Sequence, residues 1–146
     1  MTVELSAADI AAKLSQRFPG AVLESGGATV LVESHRLLEV ARFLKETPGL
    51  DFDYVTSITA VDYCHYFEVI YHLISIQHNH TLVLKTRCHT RHNPTVPSVV
   101  ALWQGAELQE REIYDLMGIA FSGHPNLKRI LTWEGFPGHP LRRDYL

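Results

Sequence analysis

The stretch YFEVIYHLISIQHNHTLVLKTRCH, residues 66–89, decides the fold. Its first half, Tyr66–Gln77, is rich in aromatic and β-branched residues. Both of its alternating faces are mostly apolar, which predicts a central strand covered on two sides. Its second half, Thr81–His89, alternates between apolar and polar side chains, which predicts a half-exposed strand. A turn at Asn79–His80 joins the two, so the stretch predicts neighbouring strands of one sheet.

Elements on either side extend this sheet and supply helices. Before it, the sequence predicts a helix from Ser6 to Pro19, strands Ala21–Glu24 and Ala28–Glu33 joined at Gly26–Gly27, a helix from Ser34 to Pro48, and a strand over Phe52–Tyr63. After it, Pro94 and Pro97 close the sheet region, and helices are predicted over Val99–Trp103 and Ala106–Met117, the second capped by Gly118. This order predicts an α+β fold, with a single domain over residues 1–117 whose mainly antiparallel β-sheet is flanked by helices.

Composition narrows the function classes. The chain has 146 residues, of which 46% are hydrophobic and 20% charged, and its formal net charge is −3. This mixture is typical of a globular domain and argues against a generic nucleic-acid binder, which needs a basic face. We expect no membrane span, because no stretch approaches the roughly 20 apolar residues that one requires. The start MTVELSAADI has neither a basic n-region nor an apolar core, so we expect no export signal.

Residues 118–146 are predicted to form an irregular, Gly/Pro-rich C-terminal extension. Glycine and proline fill seven of the 23 positions from Gly118 to Pro140, a density that predicts no regular helix or strand. The last 20 residues carry four bases, Lys128, Arg129, Arg142 and Arg143, against Glu134 and Asp144. Large apolar residues are interspersed, so the extension has to lie against something. Its own sheet is one candidate, and a groove on a neighbouring subunit, where the arginines pair with carboxylates, is the one we favour.

Four charged residues share the predicted helix that precedes the extension: Glu110, Arg111, Glu112 and Asp115. Arg111 and Asp115 are four positions apart, so they are expected to pair along one face. Clustered carboxylates also serve as general acids and bases. No nucleophile or metal set accompanies them, so core or interface ion pairing is the favoured interpretation.

Nine histidines and two cysteines raise the question of a metal site. Cys88, His89 and His92 are close in sequence, with Cys64, His65, His78 and His80 as possible neighbours across the sheet. A structural zinc site uses four ligands at regular spacings, whereas the adjacent Cys88 and His89 face opposite sides of a strand. Exposed imidazoles and buried thiols are therefore the favoured interpretation. Gly26–Gly27 lacks the spacing of a dinucleotide-binding loop.

Two histidines of the extension, His124 and His139, each precede a proline, which favours extended backbone. They are expected to act as hydrogen-bond anchors for the extension. A proton-relay role is the alternative.

The motifs of the C-terminal third occur at fixed spacings. They are ERE-x-YD-x-x-GI-x-F-x-GHP (110–125), then Leu127 and RILT (129–132), then GF-x-GHPLRRDY (135–145), preceded upstream by TAVDY (59–63) and FEVIYHL (67–73). In these motifs the chain resembles the C-subunit family of respiratory NADH–quinone oxidoreductase, the bacterial counterpart of the thirty-kilodalton subunit of mitochondrial complex I. The resemblance runs from about Leu50 onward. Gln104–Gln109 departs from the family's usual Pro, Asn and aromatic residues, and the chain stops at Leu146 where many relatives continue.

The resemblance implies a non-catalytic structural subunit of the peripheral arm of a proton-translocating complex, peripheral to the cytoplasmic face of the cell membrane. It implies docking on the quinone-side D subunit, with iron–sulfur clusters, FMN and quinone held by neighbouring subunits and no cofactor, metal or isolated activity in this chain. The residues expected to shape the extension or contact the partner are Glu110, Arg111, Glu112, Asp115, Gly118, Gly123, His124, Pro125, Arg129, Gly135, Gly138, His139, Pro140, Arg142, Arg143 and Asp144.

Three alternatives remain open at the level of sequence. The chain is compatible with the equivalent subunit of a membrane-bound hydrogenase or of a ferredoxin-fed complex. From other classes, a freestanding metal-dependent enzyme that uses the Cys/His residues and a stand-alone binding module are also compatible.

Overall fold

A computed structural model describes residues 3–133 and 136–144 of the chain. In chain order its elements are β1 (Val3–Glu4), α1 (Ala7–Arg17), β2 (Val22–Gly26), β3 (Thr29–Val32), a 3₁₀ turn (Ser34–Arg36), α2 (Leu37–Glu46), β4 (Tyr54–Asp62), β5 (Phe67–Ser75), β6 (His80–Cys88), β7 (Thr95–Pro97), α3 (Ala106–Met117) and β8 (Ala120–Ser122). Three residues singled out from the sequence, Glu134, Gly135 and Tyr145, lie outside the described residues.

The main sheet has six strands and is mainly antiparallel, as predicted. Its order is β2-β3-β6-β5-β4, and β1 also pairs with β6. β5 runs antiparallel to both β4 and β6, whereas β1 and β3 run parallel to β6. β1 meets the start of β6 at His80, and β3 meets it from Val83 onward, so both lie along the same edge of β6. The α+β fold is confirmed.

The core lies on one face of this sheet. Leu14 of α1 and Leu44 of α2 share a single buried cluster with Tyr71 of β5. On the other face of β5, Ile70 is half-buried and His72 is exposed. The prediction that β5 is covered on two sides is therefore wrong for the described part of the chain, because the helices bury their apolar faces in that one core.

Residues Val99–Trp103 form a turn and not the predicted helix. The amides of Leu102 and Trp103 both donate to the Val99 carbonyl oxygen at 3.0 Å. The indole Nε1 of the buried Trp103 donates to the Phe52 carbonyl oxygen at 3.0 Å and fixes the turn against the core. Five residues are too few to repay the nucleation of a regular helix, so tertiary contacts determine this segment.

The C-terminal extension begins with a strand that the sequence did not predict. β8 pairs in parallel with β7, with Val96 opposite Phe121. Ile119 and Phe121 are both buried in the core of the domain. The prediction that no regular strand occurs in the extension is therefore wrong here, because the four residues between Gly118 and Gly123 contain neither glycine nor proline and are free to pair.

Candidate partner-binding surface

Gly118 ends α3 and turns the chain so that the extension runs back toward this helix. Its φ of +75° is the left-handed conformation of a helix C-cap, as predicted, and its amide donates to the Tyr114 carbonyl oxygen at 2.9 Å. A Cβ at this position would lie 2.6 Å from Cδ2 of His139 and 2.9 Å from Nη2 of Arg142. Glycine is required here both for the turn and for the close approach of the extension.

The buried carboxylate of Asp115 anchors the middle of the extension. Its Oδ2 accepts the backbone amides of Ile130, Leu131 and Thr132 at 3.2, 2.7 and 2.9 Å. Its Oδ1 accepts the Thr132 hydroxyl and lies 3.6 Å from Nη1 of Arg129. One side chain of α3 thus fixes the path of three consecutive residues of the extension.

Opposing effects act on the pKa of Asp115. Desolvation by burial raises it, but the hydroxyl and amide of Thr132 and the amides of Leu131 and Ile130 favour the charged form. The result is a pKa below the ordinary value for an aspartate. The carboxylate is therefore ionised at neutral pH while it is held among its donors.

Arg111 holds the neighbouring part of the extension and does not pair with Asp115. Its Nε and Nη2 donate to the carbonyl oxygens of Lys128 and Arg129 at 3.1 and 3.3 Å, and its Nη1 lies 3.6 Å from Glu107. The predicted Arg111–Asp115 pair is wrong because the donors of the extension occupy the carboxylate of Asp115. Arg111 instead satisfies carbonyl groups of the same loop.

A second carboxylate, Asp62 at the end of β4, anchors the end of the described chain. Arg91 donates to both of its oxygens at 2.7 Å, and the amides of Cys64 and Arg143 add bonds of 2.8 and 2.9 Å. The Arg91 side chain, which also contacts Asp144 at 3.0 Å, holds the pKa of Asp62 well below its usual range. Sequence reasoning missed this cluster; the TAVDY motif was the one signal that pointed to it.

Arg129 and Arg142 of the extension also have partners within the chain. Arg129 Nη2 donates to the Gly138 carbonyl oxygen at 2.7 Å. Arg142 Nε donates to the Met117 carbonyl oxygen at 2.6 Å, and its guanidinium lies 5.0 Å from the centre of the Phe67 ring. These groups shape the extension, and their predicted role in ion pairs between subunits stays a prediction.

Both predicted histidine anchors make hydrogen bonds to α3. The Nε2 of His124 lies 3.0 Å from the Glu107 carbonyl oxygen, and its Nδ1 accepts the Asn126 amide at 2.9 Å. The Nδ1 of His139 lies 2.9 Å from the Asp115 carbonyl oxygen. The remaining predicted positions also lie at turns or bends of the extension: Gly123 (φ +84°), Pro125, Gly138 (φ +79°) and Pro140.

The two glutamates of the motif have opposite environments. Glu110 is buried and accepts the Ser98 hydroxyl at 2.6 Å and the Val99 amide at 2.9 Å, which joins α3 to the segment after β7. Burial raises the pKa of Glu110 even though these two bonds oppose the shift. Glu112 is exposed on the same helix. Of the two, only Glu112 is placed to meet another molecule.

Some large apolar side chains of the extension are exposed. We call four of them, Ile130, Leu131, Trp133 and Leu141, the apolar tail residues; their exposed fractions are 38, 63, 67 and 60%. Trp133 also stacks edge-on with Phe136, with ring centres 4.7 Å apart. Several polar groups of the extension, among them the amides of residues 130–132, thus bond to its own domain, while the apolar tail residues are exposed. Exposed aromatic and aliphatic groups of this kind mark protein interfaces.

The described residues offer little for redox or metal chemistry. Within residues 3–133 and 136–144, no three His, Cys, Asp or Glu side chains are grouped to hold a metal ion. Cys64 is exposed and Cys88 is buried, and burial raises the pKa of the Cys88 thiol to about 11. In the same part of the chain, no helix has the length and apolar content to cross a membrane.

Sequence comparison gives a consistent set of relatives. The profile of the family described as "Respiratory-chain NADH dehydrogenase, 30 Kd subunit" matches residues 30–146. The C subunit of NADH-quinone oxidoreductase from Roseiflexus sp. (strain RS-1) is 43% identical over 96% of this chain and 84% of its own length. A C subunit of NADH-quinone oxidoreductase from Rhizobium meliloti (strain 1021) is 42% identical over 88% of this chain and 73% of its own length.

Structure comparison finds a similar chain in a solved assembly. A chain of the membrane-bound sulfane sulfur reductase, an archaeal respiratory membrane complex, superposes with a TM-score of 0.70 and 25% sequence identity. The match covers 94% of this chain and 84% of the other. The similarity therefore spans the domain and most of the extension.

Proposed function

The chain belongs to the family of the 30-kDa subunit of respiratory-chain NADH dehydrogenase, and from this premise we propose that it is a non-catalytic structural subunit of a proton-translocating NADH–quinone oxidoreductase. In this role it docks on the quinone-side D subunit through residues 118–146 and holds the quinone-side module together. Electron transfer from NADH to quinone is then a property of the whole complex.

The observation that carries this proposal is the orientation of the extension. Asp115 and Asp62 accept backbone amides of the extension, whereas Leu131 and Trp133 are about two-thirds exposed. A folded segment that displays such groups in a monomer buries them against another protein. Aromatic residues at the centre of an interface commonly contribute about 2 kcal/mol or more each.

The location and the redox groups follow from the same assignment. We propose peripheral attachment to the cytoplasmic face of the membrane through the other subunits. Iron–sulfur clusters, FMN and quinone belong to neighbouring chains in this scheme, and the isolated chain has no activity.

The test compares two charge insertions at similarly exposed apolar residues. Leu131→Glu changes an apolar tail residue, whereas Ile76→Glu changes a residue that is 67% exposed in the turn between β5 and β6. Tagged versions are recovered from membranes, and co-purified subunits and quinone reductase activity are measured. We expect Leu131→Glu to lose the quinone-side partner and the activity, and Ile76→Glu to retain both. Equal retention by the two variants would contradict docking through the extension.

A second candidate function comes from the structural match. Because the chain superposes on a subunit of the membrane-bound sulfane sulfur reductase, it also fits the equivalent position in a related complex fed by ferredoxin or hydrogen. The electron donor distinguishes the two. A tagged complex that reduces quinone with NADH supports the first assignment, and one that accepts electrons only from reduced ferredoxin or hydrogen supports the second.

A further inference from the structure

The main sheet has two open edges, and they differ in chemistry. β2 is a five-residue edge strand that contains Glu24 and Gly26. β4 is a nine-residue edge strand, YVTSITAVD, whose one charged residue, Asp62, is buried against Arg91. Natural sheets usually protect a long edge with lysine, proline or a covering element. β4 contains no lysine or proline. A bulge lies between Val55 and Ser57 and α3 reaches the edge at Ile58, so residues 59–62 are the part of the edge that is left for pairing.

The hydrogen-bond pattern between β4 and β5 shows which backbone groups of β4 point away from β5, toward the open edge. The Ile58 amide donates to Oε1 of Gln109 at 2.6 Å instead of to β5. The Tyr63 amide donates back across the β4–β5 hairpin at 2.9 Å. Because inward and outward groups alternate along an antiparallel strand, both bonds imply that Ile58, Ala60 and Asp62 present their backbone groups to the open edge. At Ile58, the side-chain oxygen of Gln109 already accepts the hydrogen bond that a carbonyl oxygen of a further strand would accept.

A groove lies beside this edge. It has a volume of about 330 Å³ and runs between β4 and α3. Ile113 and Met117 line it from the helix, and the apolar tail residue Leu141 lines it from the extension. Glu112 is the one charged residue of its lining, and this exposed carboxylate forms no ion pair with the described residues. The groove is therefore apolar at its centre and acidic at its rim.

We infer that the β4 edge receives an extended segment of a partner polypeptide, which adds to the sheet as a further strand, inserts an apolar side chain into the groove and places a lysine or arginine beside Glu112. Backbone pairing supplies affinity in such strand addition, and the side-chain contacts supply selectivity. A helix cannot pair with the outward amides, because its own backbone groups are already bonded. The inference rests on the proposed function in one respect, because it requires the chain to be part of a multi-subunit assembly.

Hydrogen exchange on the unmodified protein tests the pairing directly. The amides of Ala60 and Asp62 are compared between the isolated full-length chain and the native complex. We expect them to exchange about tenfold or more slowly in the complex, because each gains a backbone hydrogen bond. The amides of residues 130–132 are followed in the same experiment. Unchanged exchange at Ala60 and Asp62 in a complex that retains the chain overturns the strand addition and leaves docking through the extension intact.

A matched pair of variants tests whether the Ala60 amide is needed. Ala60→Pro removes the outward N–H and, because that group makes no bond to β5, leaves the chain's own ladder in place. Ala60→Ser retains the N–H at nearly the same volume. We expect Ala60→Pro to be lost from the complex after a salt wash that Ala60→Ser survives, with similar thermal unfolding of the two isolated chains. Equal retention would contradict the inference.

The charge of the occupant is tested at the rim. Glu112→Lys is compared with Glu46→Lys, a reversal at an exposed glutamate of α2, and only the first is expected to weaken retention. A photo-crosslinking residue in place of the exposed Thr59 then identifies the occupant. An adduct on an extended segment of another subunit that carries a basic residue supports the inference. An adduct on a helical segment, or on a second copy of this chain, overturns it.

Discussion

Asp115 and Asp62 each collect donors from distant parts of the chain. Asp115 binds residues 15 to 17 positions later, and Asp62 binds Arg91 and Arg143, which are 29 and 81 positions later. Each carboxylate accepts backbone amides and forms an ion pair with a guanidinium, an arrangement that favours its charged form. Beyond β8, the path of the extension thus depends on two acidic residues of the domain and not on regular secondary structure.

Replacing Asp115 by asparagine should loosen the extension. The amide side chain would keep one acceptor oxygen but lose the charge that serves three amides and Arg129, so we expect the free energy of unfolding to fall by about 1–3 kcal/mol. Urea denaturation measures this loss, and hydrogen exchange at residues 130–132 locates it. Asp144→Asn is the control, since its half-exposed pair with Arg91 contributes at most about 1 kcal/mol. Equal losses would contradict the anchoring role of Asp115.

Acid should affect Asp115 and Glu110 in opposite directions. The folded-state pKa of Asp115 is lowered, so its contribution to stability is present above the ordinary value near 3.9 and is lost as the pH falls through the folded value. The pKa of Glu110 is raised, so ionisation of this residue reduces stability at neutral pH and the reduction disappears in acid. We therefore expect Asp115→Asn to flatten the loss of stability below about pH 4. Glu110→Gln should remove a decrease in stability between acidic and neutral pH, as measured by urea denaturation across that range.

At the scale of elements, α3 and its cap are the joint between domain and extension. The helix begins and ends where the sequence predicts because Ile113 and Met117 give it one apolar face and Gly118 ends it in the left-handed conformation. β7 and β8 were not predicted, since three-residue strands flanked by proline and glycine carry almost no periodic signal.

Two glycine substitutions separate backbone strain from contact with the extension. Gly118 and Gly123 both have positive φ, but a Cβ meets His139 only at Gly118 and has open space at Gly123. Gly123→Ala should lower stability by about 1–2 kcal/mol from the left-handed conformation alone. Gly118→Ala should cost more and should also release the amides of residues 130–132 to faster exchange. Thermal unfolding and hydrogen exchange measure the two effects, and similar behaviour of the two variants would refute the close contact.

The candidate site could be predicted only where its signal is local. Asp115 and both histidines of the extension were identified because they stand in a motif. The groups that donate to Asp115 were not identified, because they depend on how residues 130–132 fold back onto α3. The Asp62–Arg91 pair lies outside any periodic pattern and joins the end of β4 to the loop after β6. Such contacts are set by tertiary folding, so sequence spacing does not reveal them.

At the scale of the whole molecule, the helices and one face of the main sheet enclose the core, whereas the other surfaces face outward. Among the described residues, no helix packs on the outer face of the sheet, the apolar tail residues are exposed, and a groove lies between the β4 edge and α3. We expect the isolated full-length chain to self-associate at high concentration, because exposed patches of this kind do so in the absence of their partner. Sedimentation should show this association and its reduction in Leu131→Glu but not in the control Glu46→Lys. A strictly monomeric chain at all concentrations would contradict it.

The two carboxylate anchors have a consequence for how a cell makes the assembly. Both anchors form within this one polypeptide as soon as it has been synthesised and has folded. The apolar tail residues are therefore exposed before any partner subunit binds. Surplus copies would expose tryptophan and leucine to every other newly made chain. Production of this subunit must therefore keep pace with production of its neighbours.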